Sequence, residues 1–265
     1  MAPRLLLMGG HEFDQLDGNE VLTDLILELA GSDSPKVCLL PTASGDPDHQ
    51  ITRFRRAFGG RGAEATDISL FRLGQNPIDL EAHLFSQDVV YVGGGSLVNL
   101  VAVWGPHGVY DLLREALERG VLVCGQSAGA ICWFEQGITT SSGVPAMADG
   151  FGHLPGSLCV HYHRDPERRA AYLAAIAAGA SPGFGADDQT GLFFEGGELT
   201  RTVSARSGAG VWRVDAQGGE AVETPVEVDD ISRRSEESPV AASSSIDDFR
   251  ALSRFRNEAG LGRRR

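Results

Sequence analysis

Short apolar runs recur along the chain at Leu5–Met8, Val37–Leu40, Val89–Val92 and Val121–Cys124, and each ends in a Gly-, Pro- or Ser-bearing loop that leads towards a helical pattern. Runs of this length, bounded by turn residues, predict buried strands. Between them, Glu20–Ala30 places Val21, Leu22, Leu25, Ile26 and Leu29 at i, i+3, i+4 spacing, and Val109–Glu118 does the same with Val109, Leu112, Leu113, Ala116 and Leu117. Both read as amphipathic helices crossing from one strand to the next. The alternation predicts an α/β fold: a mostly parallel, doubly wound sheet with helices on both faces. In such sheets ligands bind outside the carboxyl ends of the strands. The loops Gly9–His11, Pro41–Asp46, Gly93–Ser96 and Gly125–Gly129 all follow strands, so they should face one crevice.

Beyond Pro182 the texture changes. Gly191–Leu199 reads as a hairpin around Gly196-Gly197, and Val211–Val214 as a further strand, which predicts an antiparallel C-terminal extension of the sheet. Residues 1–226 are therefore expected to form one α/β domain, and 227–265 a polar segment rich in Ser, Asp, Glu and Arg. Within that segment Ile246–Arg256 carries Phe249, Leu252 and Phe255 on one helical face, which predicts a short docked helix, and Arg263–Arg265 reads as a solvated end. No internal repeat is visible.

Composition narrows the class. At 265 residues the chain suits one full α/β domain, and a hydrophobic content of 42% with 22% charged residues is ordinary for a globular protein. No run approaches the roughly 20 apolar residues that span a bilayer. The apolar start runs straight into the Gly9-Gly10 loop, so it reads as the first strand rather than a signal peptide, and a cytoplasmic location is expected. Cys38, Cys124, Cys132 and Cys159 lie in or beside apolar segments without Cys-x-x-Cys spacing, which points to buried free thiols and to neither a disulfide nor a zinc site. A net charge of −13 argues against nonspecific nucleic-acid binding. Neither metal nor cofactor is called for.

The chemistry concentrates in Gly125-Gln126-Ser127-Ala128-Gly129-Ala130, which follows an apolar strand and precedes the helix-compatible Ala130–Phe134. A serine between glycines at a strand–turn–helix junction has its hydroxyl lifted above the sheet, where a nucleophile belongs. Close helix–sheet packing is the ordinary use of such small residues. A serine hydroxyl needs a base. Of seven histidines, His161 and His163 stand in the alternating Leu158–Arg164, which as a strand sends both to one face. A histidine base needs an acid to fix its tautomer, and Asp187-Asp188 precede the hairpin near a strand end. Glu135 is the rival, on the helix leading away from Ser127. The order Ser, His, acid differs from the Ser, acid, His of lipases and esterases. For an oxyanion, the Ala128 N–H supplies one donor and Gly93–Gly95 a second. A phosphate-binding loop is disfavoured, because neither Gly-x-Gly-x-x-Gly after the first strand nor Gly-Lys-Ser/Thr occurs.

Pro41–Ser44, Tyr91–Ser96, Gly125–Ala130 and Val160–Tyr162 together resemble, over about residues 4–215, the peptidase E family of serine peptidases (aspartyl dipeptidases). That family is related to cyanophycinases and built on the class I glutamine amidotransferase-like, flavodoxin-like fold. The resemblance implies Ser127 as nucleophile, His161 as base, and Gly94 or Gly95 with Ala128 as the oxyanion hole. It implies a triad acid in Gly185–Gln189, where family members carry glutamate and this chain offers aspartate, Asp188 being the closer match. Serine in place of the amidotransferases' cysteine argues against glutaminase chemistry. Arg168 is the nearest counterpart of the arginine that grips an N-terminal aspartate, although the stretch between His161 and Pro166 is shorter than in those enzymes; Arg164 and Arg169 read as part of a solvated helix start. The expectation is a metal-independent serine peptidase, monomer or homodimer, that acts on small peptides such as Asp-X through an acyl-enzyme. The alternatives are another small amide or ester hydrolase, or a non-catalytic small-molecule-binding relative.

Overall fold

A computed structural model describes residues 2–11 and 19–233; the helix expected at Ile246–Arg256 lies outside the described residues. The chain runs β1 (Arg4–Met8), α1 (Asn19–Ala30), β2 (Lys36–Leu40), α2 (Asp48–Gly59), β3 (Glu64–Asp67), α3 (Leu80–Phe85), β4 (Val89–Val92), α4 (Leu97–His107), α5 (Val109–Glu118), β5 (Leu122–Gln126) and α6 (Ala128–Ile131). It continues through β6 (Phe134–Thr139), β7 (Ala146–Asp149), β8 (Leu154–Val160), α7 (Pro166–Ala177), β9 (Gly183–Ala186), β10 (Thr190–Glu195), β11 (Glu198–Ser204), β12 (Val211–Gln217), β13 (Glu220–Val226) and β14 (Asp229–Asp230). Each apolar run noted above forms a strand, and both periodic segments form helices.

Among the described residues the strands make two sheets. The larger has the order β14-β11-β10-β1-β5-β4-β2-β3. Its β1, β5, β4, β2 and β3 are mutually parallel, and β10 and β11 extend it antiparallel beyond β1. The hairpin around Gly196-Gly197 is this extension. Pairing runs on through β14, past residue 226. The second sheet, β13-β12-β9-β8-β6-β7, has no counterpart in the sequence expectations. Val211–Val214 pairs there with β9 and β13 and does not extend the first sheet.

Alternation along the strands decides the layers, because successive side chains point to opposite faces. Leu6, Met8, Leu39, Tyr91 and Cys124 pack on one face with Leu22, Ile26, Phe54 and Phe58 of α1 and α2. Leu5, Leu7, Leu40, Val92 and Val123 pack on the other with α4 and α5, and with Phe134, Leu158 and Val160 of the second sheet. The far side of the second sheet is closed by α7 through Tyr172 and Ile176 against Cys159 and Val214. All four cysteines are buried and free. Burial pushes the Cys38 thiol up to about 12 and the other three upward as well, so none is poised as a nucleophile. No described helix is long and apolar enough to cross a membrane.

The helix after Ser127 is shorter than the sequence suggests. It stops at Ile131, and Phe134 already begins β6. Ile131 through Phe134 are all buried, so they carry no polar face to separate helix from strand, and pairing of β6 with β7 and β8 decides the outcome. Glu135 therefore stands on a strand, where its Oε2 accepts from the Gly156 N–H at 2.9 Å.

One polar cluster ties α7 to the second sheet. Glu223 on β13 accepts from Arg169 Nε at 3.0 Å and Nη2 at 2.6 Å, and from the Tyr162 hydroxyl at 2.6 Å. Burial opposes ionisation of Glu223, but the Arg169 and Tyr162 hydrogen bonds outweigh it and hold its pKa below the ordinary 4.5. A carboxylate lowered in this way stabilises the fold above its unfolded pKa and loses that contribution as pH falls through the folded one. Glu223→Gln is accordingly expected to lower Tm by about 1–4 °C at neutral pH. The difference from wild type should close as the pH is taken below about 4, and a gap that persists in acid would show that ionisation of Glu223 is not its source.

Candidate active site

Ser127 sits between β5 and α6 with φ 50° and ψ −117°, a sharp turn outside the helical and extended regions. Close packing imposes it. A Cβ on Gly129 would stand 2.8 Å from the Gly93 carbonyl oxygen, so only glycine lets this turn lie on the end of β4. The turn is pinned by the Ser127 N–H donating to Met8 O at 3.1 Å and by Ala130 and Ile131 N–H returning to Ser127 O, each at 2.9 Å.

The histidine and the acid come from the second sheet. β8 ends at Val160, and His161 takes φ 56° in the turn to α7, which the Asp165 N–H closes onto His161 O at 2.9 Å. That conformation breaks the strand alternation from which His161 and His163 were expected to share a face, and the two meet different acids. His161 Nε2 lies 3.0 Å from Ser127 Oγ, and its Nδ1 makes a short hydrogen bond with Asp188 Oδ1. His163 Nδ1 instead meets Asp187 Oδ1 at 3.0 Å, with its ring edge-on to Trp212. Asp187, buried, also accepts from the His163 N–H at 2.9 Å and the Gly210 N–H at 3.1 Å. It braces the loops; Asp188 is the acid that reaches the imidazole.

Asp188 and His161 are largely enclosed, their side chains 12% and 16% exposed. Burial works against a charged Asp188, but the His161 hydrogen bond and the charges of His161 and Arg164 prevail and hold its pKa below the ordinary value. The pair is thus set up as a carboxylate accepting from Nδ1–H, the tautomer that leaves Nε2 free to take the Ser127 proton.

Of the residues expected to supply oxyanion donors, Ala128 follows the serine directly and Gly94 packs against it. Ala128 opens α6, where no side chain caps the helix, and a Cβ on Gly94 would stand 3.2 Å from Ser127 Cβ. Gly95, at φ +142°, packs on the Ala43 backbone. Among the described residues the N–H groups of Gly94, Gly95 and Ala128 donate to no protein acceptor. Arg168, the residue expected to grip substrate, is held by protein partners. Its side chain is 10% exposed, donates to Thr140 Oγ1 at 2.9 Å and pairs with Asp165 at 3.3 Å, and it makes no described contact with Ser127, His161 or Asp188. The arginine that does reach the site is Arg164, through Asp188 Oδ2 at 2.8 Å.

A hydroxyl after β5, an imidazole after β8 and a carboxylate after β9 are thus joined in that order by hydrogen bonds. The chain belongs to peptidase family S51, whose model matches residues 5–202. It is 40% identical over 226 residues to the uncharacterised peptidase YgaJ of Bacillus subtilis (strain 168), covering 85% of this chain and 97% of that protein. It is 28% identical over 202 residues to the cyanophycinase of Nostoc sp. (strain PCC 7120), covering 72% of this chain and 67% of that one. Among solved structures, a peptidase from an acI-B1 Actinobacterium matches with TM-score 0.66 at 17% identity, over 86% of this chain and 95% of the other. A Listeria monocytogenes EGD-e protein assigned to peptidase E matches with TM-score 0.55 at 16% identity, over 86% of this chain and all 100% of the other. These two likenesses bear on the fold, and the family makes the chain a serine-type peptidase.

Two further residues touch the acid without a mark in the sequence. Arg164 reads from sequence as one charge in a helix start, and Gly10 as one glycine in a crevice loop. The Gln189 N–H donates to Gly10 O at 2.7 Å, so the two loops touch. A Cβ on Gly10 would meet Asp188 Oδ1 and stand 2.9 Å from His161 Cε1. Gly10→Ala is expected to push the pair off Ser127 and cut turnover by about 100-fold. Because the clash falls on two side chains, Tm should drop by only a few degrees, about 2–6 °C. Undiminished turnover in this variant would mean that the pair does not depend on the Gly10 contact.

Proposed function

We propose that Ser127, His161 and Asp188 act as a catalytic triad that hydrolyses small peptides through an acyl-enzyme. The observation that carries this reading is the unbroken hydrogen-bonded chain from Ser127 Oγ through both imidazole nitrogens to Asp188. As Ser127 Oγ attacks the scissile carbonyl carbon, His161 Nε2 takes its proton and Asp188 stabilises the imidazolium that forms. The carbonyl oxygen, now an anion, receives the N–H of Ala128 and that of Gly94 or Gly95. His161 passes its proton to the departing amine, and a water deprotonated by the same nitrogen then hydrolyses the acyl-Ser127 ester.

The finer substrate reading is an Asp-X dipeptide, supported by the resemblance to aspartyl dipeptidases of the peptidase E type, in which Arg168 is the nearest counterpart of the aspartate-gripping arginine. For Arg168 to grip the aspartate carboxylate, it would have to exchange Thr140 and Asp165 for substrate. A dipeptide panel led by Asp-X, with simple esters and isopeptides beside it, tests both levels. Ser127→Ala is expected to lower every serine-dependent rate by about 10⁴-fold or more, and Asp188→Asn by a comparable factor. Hydrolysis that survives Ser127→Ala unchanged would overturn the mechanism; cleavage spread evenly over the panel would overturn Asp-X selectivity alone.

A further inference from the structure

The two oxygens of Asp188 are divided between two partners. Oδ1 takes the imidazole of His161, and Oδ2 takes Arg164 Nη1 at 2.8 Å. The backbone on either side of Arg164 is held. The residue before it is tied back by the His163 N–H to Asp187, and the residue after it by the Asp165 N–H to His161 O. The side chain itself is 64% exposed, so it adds charge and direction to the carboxylate without closing the site to solvent.

We propose that Arg164 is a positioning residue of the Ser127–His161–Asp188 chain: it holds the second oxygen of the acid, fixes the carboxylate plane against the imidazole, and offsets the acid's charge. The proposal rests on the triad reading above. Arg164 reaches Oδ2 through one nitrogen of a planar, pre-organised group, and a lysine would keep the charge but not that geometry. Among the described residues the charged and titratable groups around the pair come from three segments. The turn before α7 supplies His161, His163, Arg164 and Asp165; the β9–β10 link supplies Asp187 and Asp188; the loop after β1 supplies His11, hydrogen-bonded to Tyr91. Asp187 is matched by His163 and Asp165 by Arg168, which among the described residues leaves Arg164 as the cation facing Asp188 from outside the triad.

Removing that cation makes the histidine–carboxylate pair easier to protonate. The acid limb of any rate that needs the unprotonated imidazole should then move up by about 0.5 pH unit. The exposed position makes the shift shrink in high salt. Freed at Oδ2, the carboxylate also loses direction, and the rate above the limb should fall by about threefold to tenfold.

The test needs no knowledge of the natural substrate. An alkyl fluorophosphonate transfers its phosphonyl group to an activated serine oxygen as fluoride leaves and the serine proton passes to the base. Its rate on the intact protein can be followed by mass across about pH 5 to pH 9, for wild type, Arg164→Gln and Arg164→Lys, with Ser127→Ala as the blank. The expected result is a limb shifted upward in Arg164→Gln, restored in Arg164→Lys, with the lowered plateau recovered only in part by lysine. A wild-type protein that takes no label at Ser127 overturns the triad reading and this inference with it. Label in wild type with an unmoved limb in Arg164→Gln, whether or not the plateau falls, overturns the inference alone, since a residue that merely supports the fold would lower the rate without moving the limb.

Discussion

The site depends on one close approach: the backbone of Gly9 and Gly10, leaving β1, lies against Ala186, Asp187 and Asp188, leaving β9, with no room for a side chain between them. The Gly9 N–H reaches Thr190 O at 3.1 Å and the Gln189 N–H reaches Gly10 O at 2.7 Å, so the contact is hydrogen-bonded from both sides. Because Ser127 N–H is fixed to Met8 O, at the end of the same strand, the serine and the acid are measured from a common point. Van der Waals exclusion at two glycines therefore sets the span that the imidazole has to bridge.

Much of the fold is legible in the sequence because the central strands are buried on both faces and read as unbroken apolar runs, and because α1 and α5 have one wet face each. The second sheet is not legible for the converse reason. Several of its strands carry polar residues on a half-exposed face, and β9 is the nearly featureless Gly183-Phe184-Gly185-Ala186. Such strands exist through pairing with neighbours distant in sequence, which no local pattern encodes. The same holds for the helix that gives way to β6 at Phe134, where continuous burial removes the periodicity that would have marked the change.

The site divides along similar lines. Ser127 announces itself because a strained turn needs small flanking residues, and those are visible in the sequence. His161 and His163, or Asp187 and Asp188, cannot be told apart by spacing. A single positive φ at His161 redirects the two histidines to different acids, and that angle is stabilised by tertiary hydrogen bonds rather than by residue type. The contacts of Arg164 and Arg168 are illegible for the same reason: the turn after β8 delivers the exposed one to Asp188 and brings the other to Thr140.

Ser127 belongs to one sheet, whereas His161 stands at the end of a strand of the other, and Asp188 lies on the link of residues 187–189 by which the chain passes from β9 to β10. The hydrogen-bonded chain is thus also a seam between two layers of the molecule. Sliding the layers past each other by a fraction of an ångström would part the imidazole from the hydroxyl while every strand kept its partners. The link is so short that it forbids such a slide unless Asp188 travels with it. The carboxylate that meets the imidazole is in this way also a stitch between the two layers, and lengthening that link by one residue would part the hydrogen-bonded chain while leaving each layer well formed.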